Sequence, residues 1–234
     1  MTEEGMPIGY FYGRKTDGIF QTQQEIDNYV NSTGDKIQPT ARPGDLKYVD
    51  IDGNGRLDDN DRTKTGNPFP KFTYGVSLGL EYKGFDLSAF FQGSQGTDIL
   101  NVLKYDIRSG AGWYNAPSDM MDIAWNGQGT SNSQFQINAN SGDNLTMSDW
   151  YIEDGSYCRL KNLQIGYTLP NTIFGQKAKM QNIRFWIGAQ NLFTITKFTG
   201  LDPEMGSTDP KSMGIDIAFY PQARTYMIGV NARF

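Results

Sequence analysis

The 234-residue sequence predicts an all-β fold, in which long antiparallel strands form part of a transmembrane β-barrel. Three observations support this prediction: apolar and polar residues alternate over long runs, aromatic residues and glycine are abundant, and short and long connections fall on opposite sides. Aromatic residues make up 13% of the chain and glycines number 27, while only 38% of residues are hydrophobic. This composition favours strands and turns over a helical bundle.

Alternation is strictest in Phe72–Tyr82, where every even position is apolar or aromatic and every odd position is small or polar. The same period of two marks Ile183–Ile195 and the C-terminal run that ends at Phe234. Weaker alternation predicts further strands over 85–95, 157–169 and 8–19. Each run has one apolar and one polar face, and its length suits a tilted strand of about 9–11 residues that crosses a bilayer.

The connections sort by length. Lys83-Gly84 predicts a tight hairpin, and residues 170–181 form a segment of intermediate length. Much longer connections, residues 20–71, 96–156 and 196–224, would all lie at the opposite end of the strands. Short turns on one side and long loops on the other are typical of outer-membrane barrels. A soluble antiparallel sandwich remains the alternative, because a half-buried sheet also alternates.

The composition excludes several functions. There is no histidine, which removes histidine-based triads, most zinc sites and haem ligation. The single Cys158 allows no internal disulfide, and a net charge of −5 argues against nucleic-acid binding. No catalytic residues are predicted, since the acid pairs are only adjacent in sequence and no serine has a histidine base. The first residues lack the features of a signal peptide, so an export signal is expected outside this chain.

An acidic stretch beginning at Asp50 has the D-x-D-x-N-G spacing of a calcium-binding loop. The predicted oxygen ligands are Asp50, Asp52, Asn54, the Arg56 carbonyl, Asp58 and Asp61. An aspartate at the last position reaches less far than the usual glutamate, and no EF-hand helices flank the loop. We therefore expect a bound Ca2+ to stabilise the loop rather than to act as a sensor, and the alternative is an acidic turn without metal.

Two short helices are predicted in the long connections, one from the capping box Thr22-Gln-Gln-Glu25 and one from Ser118 to Trp125. Trp113, Tyr114 and Trp125 are candidate substrate-binding residues, because aromatic side chains can stack on sugar or peptide ligands. Packing within the loops is the favoured interpretation of these three residues.

Six stretches resemble the SusC/RagA family of TonB-dependent outer-membrane transporters, in order and over nearly the whole chain. They are GYFYGRKTDGIFQTQQEI, PGDLKYVDIDGNGRLDDNDRTKTGNPFPKFTYG, YKGFDLSAFFQGSQGTDI, EDGSYCRLKNLQIGYTLP, IRFWIGAQNLFTITKFTGLDPE and FYPQARTYMIGVNARF. The match is only general over 104–148, and Cys158 stands where a larger aliphatic residue is expected.

The resemblance implies that residues 1–234 are the C-terminal part of such a barrel, about six strands of roughly 22, without the plug domain. It also implies location in the outer membrane of a Gram-negative bacterium, contact with lipid, and partners in the form of the remaining barrel and plug, a SusD-like surface lipoprotein, and TonB. The expected activity is import of oligosaccharides or peptides. A soluble, calcium-stabilised glycan-binding sandwich is the second hypothesis, and a hydrolase is the third.

Overall fold

The computed structural model describes residues 1–110, 114–137, 143–170, 181–205 and 209–234. Most regular elements in these residues are strands. They are β1 Phe11–Arg14, β2 Thr16–Ile19, β3 Leu46–Tyr48, β4 Arg62–Gly66, β5 Phe72–Tyr82, β6 Phe85–Gln95, β7 Asp98–Asn101, β8 Ile152–Asp154, β9 Tyr157–Thr168, β10 Asn182–Gln190, β11 Thr194–Thr196, β12 Ile215–Asp216 and β13 Thr225–Arg233. The helices are short: α1 Gln23–Asn28, α2 Val102–Arg108 and α3 Met120–Ile123, with 3-10 turns at Asp59–Asp61, Asp143–Leu145, Asp149–Tyr151 and Pro210–Ser212. Among the described helices, none has the length and apolar character needed to cross a membrane.

The chain divides into two compact units. The sheet unit consists of Pro70–Thr97, Gly155–Glu204 and Tyr220–Phe234, and it contains the long strands. The loop unit consists of Met1–Phe69, Asp98–Asp154 and Met205–Phe219, and it is built from the long connections.

One antiparallel sheet forms the sheet unit, with its long strands in the order β13-β10-β9-β6-β5. Strands β5 and β6 are joined by the predicted tight turn, in which Lys83 has φ 49° and Gly84 has φ 85°. Two consecutive positive φ values match the twist of a two-residue hairpin, and glycine adopts them without steric cost. The hairpin prediction is confirmed.

A row of aliphatic side chains crosses all five long strands on one face of this sheet. The register pairs Leu80 with Leu87, Leu87 with Ile165, Ile165 with Ile187, and Ile187 with Ile228. The ends of the row are largely exposed, Leu80 to 68% and Ile228 to 84%. A sandwich would bury such a face against a second sheet, so its exposure favours a sheet that faces lipid.

Next to this row, nearer the hairpin turn, lies an aromatic row on the same face. It runs Tyr82, Phe85, Tyr167 and Phe185 across four adjacent strands. The rings of Phe85 and Tyr167 pack with centroids 4.5 Å apart. An aromatic border beside an apolar band is typical of the wall of an outer-membrane barrel.

Glycines let aromatic rings lie flat on both faces of the sheet. Tyr74 lies over its cross-strand partner Gly93, where a β-carbon would overlap the phenol ring. On the opposite face Trp186 covers Gly229 in the same way. Each ring fills the space that the missing side chain leaves.

The predicted strand over 8–19 is wrong. Residues of that segment form β1 and β2, which belong to the loop unit and pair with β4 and β3. Two features break the segment: Gly18 has φ 80°, and the backbone N–H of Thr16 bonds to the Asp149 carboxylate at 2.9 Å instead of to a neighbouring strand. The loose alternation of this segment reflects these local pairings.

The predicted strand Ile183–Ile195 is interrupted by a bulge between β10 and β11. Gln190 lies opposite Asn162 and Thr194 opposite Arg159, so four steps on one strand face three on the other. Asn191 takes up the difference with φ 51°, a conformation that asparagine tolerates better than most residues. Period two continues through the bulge in the sequence, which is why alternation alone did not reveal it.

The loop unit has a small apolar core surrounded by buried polar groups. Ile19, Leu46, Tyr48 and Phe135 form its main cluster. Asp45 is fully buried, and its carboxylate accepts hydrogen bonds from the Arg42 N–H and from the side-chain amides of Gln136 and Asn144, each at 2.8 Å. These bonds satisfy a charge that would otherwise be very costly to bury.

Two buried tyrosines extend this polar core. The Tyr48 hydroxyl donates to the Asp143 carbonyl and the Tyr151 hydroxyl donates to the Asn144 carbonyl, both at 2.6 Å. Burial raises the pKa of both hydroxyls, which keeps them protonated as donors. The Tyr48 bond thereby joins two segments that are far apart in sequence, and the Tyr151 bond fixes a local turn.

Of the predicted helices, the first is confirmed as α1. The Thr22 hydroxyl accepts from the Glu25 N–H, and Ile26 is buried, whereas the Glu25 carboxylate bonds to the Gln21 N–H rather than to Thr22. The second predicted helix, from Ser118 to Trp125, is shorter than expected and consists of the single turn α3. Helix α2 was not predicted.

Candidate functional site

The acidic loop connects β3 to β4 in the loop unit and is shaped by its own carboxylates. Asp50 accepts from the backbone N–H of Gly53 at 2.9 Å and of Gly55 at 2.8 Å. Gly53 and Gly55 have φ of 71° and 84°, so glycine is needed for the turns that return the backbone to Asp50. The sequence spacing therefore produces a closed loop around the first aspartate.

Three of the predicted ligands converge. Carboxylate oxygens of Asp50, Asp52 and Asp61 lie within 4.8 Å of one another. Asp61 is fully buried, and its two oxygens accept from the N–H groups of Ile51 and Asp58, each at 2.8 Å. Hard oxygen donors at this spacing suit a hard cation such as Ca2+.

The other three predicted ligands have local partners. The side-chain nitrogen of Asn54 bonds to the carboxylates of Asp52 at 2.9 Å and of Asp58 at 3.2 Å, and its oxygen accepts from the Arg56 N–H. Asp58 also caps the following 3-10 turn through the Asn60 N–H, which is the first cause of its lowered pKa. Ligand roles for Asn54, the Arg56 carbonyl and Asp58 stay predictions.

The three candidate substrate-binding aromatics do not form a described cluster. Trp113 lies outside the described residues, and Tyr114 is 64% exposed. Trp125 packs against the main core cluster of the loop unit, and its indole N–H donates to Gln21 Oε1 at 3.0 Å. Gly44 has no side chain that would overlap the Trp125 ring, so the structure gives Trp125 a packing role.

A buried ionic cluster in the sheet unit was missed by the sequence. Arg159 is 4% exposed and donates to Asp202 Oδ1 at 2.5 Å, to Glu204 Oε2 at 2.6 Å and to Thr194 Oγ1 at 2.7 Å. Lys161 adds a second cation, with Nζ 2.7 Å from both Glu204 oxygens. More than forty residues separate the two halves of this cluster, so spacing gave no signal for it.

An ion pair between two long strands lies on the polar face of the sheet, near the hairpin turn. Arg184 on β10 donates through Nε to Asp86 Oδ2 on β6 at 2.8 Å, and a second bond runs from Nη2 to Oδ1. Arg184 lies next to Phe185 on β10, so its side chain points to the face opposite the aromatic row.

Comparison with known proteins identifies relatives over the full length of the chain. It is 35% identical to TonB-dependent receptor P3 of Formosa agariphila over 99% of the chain and 22% of that receptor. It is 29% identical to TonB-dependent receptor SusC of Bacteroides thetaiotaomicron over 83% of the chain and 18% of SusC. The chain thus spans about a fifth of these curated relatives, and no family model matches it.

Solved structures support the same fold. The chain superposes on the RagAB peptide transporter with a TM-score of 0.71 at 22% identity, over 98% of the chain and 23% of that structure. The RagAB peptide importer in its open-open state gives a TM-score of 0.68 at 23% identity. Over nearly its whole length the chain is therefore homologous to a part of these TonB-dependent receptors, and its fold fits the C-terminal portion of a barrel of this type.

Proposed function

We propose that the chain forms wall strands and outer loops of a TonB-dependent importer in the outer membrane of a Gram-negative bacterium. The observation that carries the proposal is the exposed aliphatic row from Leu80 to Ile228, which crosses five strands and is followed by an aromatic row. An apolar band with an aromatic border is what a lipid-facing barrel wall requires. The sequence relatives are named as receptors of this type.

The proposed cargo is an oligosaccharide or a peptide, and the proposed partners are the remaining barrel and plug, a SusD-like surface lipoprotein and TonB. One related structure is described as a peptide importer, and one relative is SusC. Both outer strands of the sheet, β5 and β13, have a single partner among the described strands, which leaves their other edges for further barrel strands.

Gene deletion tests this proposal. The protein should fractionate with outer membranes, and a strain lacking it should lose growth on one class of oligosaccharide or peptide as the sole carbon source. Complementation should require both the gene and a functional TonB. Recovery of the protein in the soluble fraction, together with unchanged growth on every carbon source of both classes, would contradict the proposal.

We also propose that the acidic loop binds Ca2+ through Asp50, Asp52 and Asp61. Support comes from the convergence of their oxygens and from the D-x-D-x-N-G spacing. The ion would fix the connection between β3 and β4 in the loop unit. Calorimetric titration with calcium alone tests this, and absence of any heat of binding would refute it.

A substrate-binding role for Trp113 and Tyr114 is retained as part of the proposal. Tyr114 is well exposed, as a stacking residue must be. Replacing both by alanine should weaken substrate capture while Trp125→Ala should instead lower the stability of the loop unit.

A further inference from the structure

Asp202 holds the two ends of the last long connection. Its Oδ1 accepts from the Glu204 N–H and its Oδ2 accepts from the Gln222 N–H, each at 2.9 Å. Of the residues between these two anchors, Met205–Phe219 belong to the loop unit, whereas both anchors belong to the sheet unit. One carboxylate therefore fixes both the point where the chain leaves the sheet unit and the point where it returns.

Arg159 makes this arrangement rigid. Asp202 is 6% exposed, and its charge is balanced by the nearly buried guanidinium of Arg159 on β9. The same guanidinium holds the Glu204 side chain and the Thr194 hydroxyl. Hydrogen bonds between charged groups in a buried site are short and strong, so the three bonds of Arg159 fix Asp202 relative to the strands.

The returning limb of the connection is short and restrained. Asp216, which is 1% exposed, accepts at Oδ1 from the N–H groups of Ala218 at 2.9 Å and of Phe219 at 3.2 Å. Ala218 is thereby held at φ 68°, which costs a residue with a β-carbon free energy. Only Tyr220 and Pro221 separate this turn from Gln222. A displacement at Gln222 would therefore reach Asp216 through very few free torsions.

Asp216 lies at the end of β12, which pairs in parallel with β7 through Ile215 and Leu100. We propose that the Arg159–Asp202 pair is a conformational clasp: while it is closed, it keeps β12 in place on β7, and its release loosens β12. The clasp acts through the covalent connection and the strained turn at Ala218. It rests on these contacts and does not depend on the proposed import activity.

Hydrogen exchange on the full chain tests the clasp. Asp202→Asn keeps the size of the side chain but leaves only one oxygen, so whichever way the amide is oriented, one of the two backbone anchors is lost. We expect exchange at the Gln222 or Glu204 amide to rise by about 10- to 100-fold, the range set by a hydrogen bond to a charged group. Exchange should also rise several-fold in Ile215–Phe219.

Two controls accompany this variant. Asp106→Asn changes an aspartate of α2 whose side chain has no hydrogen bond or ion pair to any described residue, and it should leave exchange in Ile215–Phe219 unchanged. Arg159→Gln removes the cation of the clasp and should reproduce the effect of Asp202→Asn. If exchange rises at the Gln222 or Glu204 amide but not in Ile215–Phe219, the anchors act only locally and the clasp is refuted. Unchanged exchange at both anchors would refute it equally.

Discussion

Arg184 reaches over Gly166 to pair with Asp86, two strands away on the polar face of the sheet. Asp86 lies opposite Gly166, and any β-carbon on Gly166 would collide with the Arg184 guanidinium and the Asp86 carboxylate. Because Gly166 has no side chain, it leaves the space in which the Arg184 and Asp86 side chains meet. Three strands contribute to one interaction, which locks the register of β6, β9 and β10 at that level.

Removal of Asp86 should destabilise the sheet by about 1–2 kcal/mol, because the half-buried Arg184 guanidinium would lose a bidentate partner. Urea unfolding of the protein in detergent or lipid measures this. Glu81→Ala is the matched control, since Glu81 is the cross-strand neighbour of Asp86 and has no ion pair among the described residues. Equal losses for Asp86→Ala and Glu81→Ala would show that the pair contributes nothing specific.

The assignment of the two faces predicts opposite tolerance to arginine. Leu78 lies on the apolar face and is 50% exposed, whereas Ser77 lies on the polar face of the same strand. Leu78→Arg should cost about 2–4 kcal/mol of stability if the residue lies near the bilayer midplane, and Ser77→Arg should cost clearly less. Folding titrations in lipid vesicles compare the two, and similar costs would mean that the faces are assigned wrongly.

The acidic loop predicts calcium binding that depends on its first aspartates. Asp50→Ala combined with Asp52→Ala should abolish the heat of calcium binding, because two of the three converging carboxylates are lost. Asp59→Ala, on an exposed aspartate that lies outside the converging group, should leave binding unchanged. Heats that persist in the double variant would place the ion elsewhere.

Acid should destabilise the sheet unit through Asp202. Burial alone would raise the pKa of Asp202, but hydrogen bonds from Arg159 and from the N–H groups of Gln222 and Glu204 outweigh it and lower the pKa. Since the folded pKa lies below the unfolded value of about 3.9, the carboxylate adds stability above that pH, and this contribution is lost as pH falls through the folded pKa.

The pH dependence of unfolding measures this contribution. Asp202→Asn should be less stable than the wild type at neutral pH, and the difference should shrink as pH falls below about 4. A constant difference between the two proteins across the acid range would contradict the assigned role of the carboxylate.

Sequence pattern predicted the sheet well because its period of two has a direct physical cause. In Phe72–Tyr82 every second side chain faces the same way, so the alternation gave the strand bounds correctly. Lys83-Gly84 likewise predicted its own turn. Where the cause was not local, prediction failed: the segment 8–19 takes its partners from β3 and β4, which no pattern within the segment encodes.

The sites, like the strands, could be predicted only where their residues lie close together in sequence. The convergence of Asp50 and Asp52 with Asp61 is determined within twelve residues, and the spacing predicted it. Arg159 and Asp202 meet because the last long connection folds back on β9, a contact that depends on tertiary structure. Trp125 was a candidate ligand residue by its type alone, and its burial against the loop core became visible only with Gly44 in position beneath it.

The two aromatic rings that lie over glycines restrict which substitutions the chain can accept during evolution. Tyr74 occupies the volume above Gly93, and Trp186 occupies that above Gly229. A residue with a side chain at either glycine would overlap the ring and displace it. A smaller residue at either aromatic position would leave the backbone of the glycine uncovered. In sequences that evolve from this one, Tyr74 and Gly93 should therefore be substituted together or not at all, and the same should hold for Trp186 and Gly229.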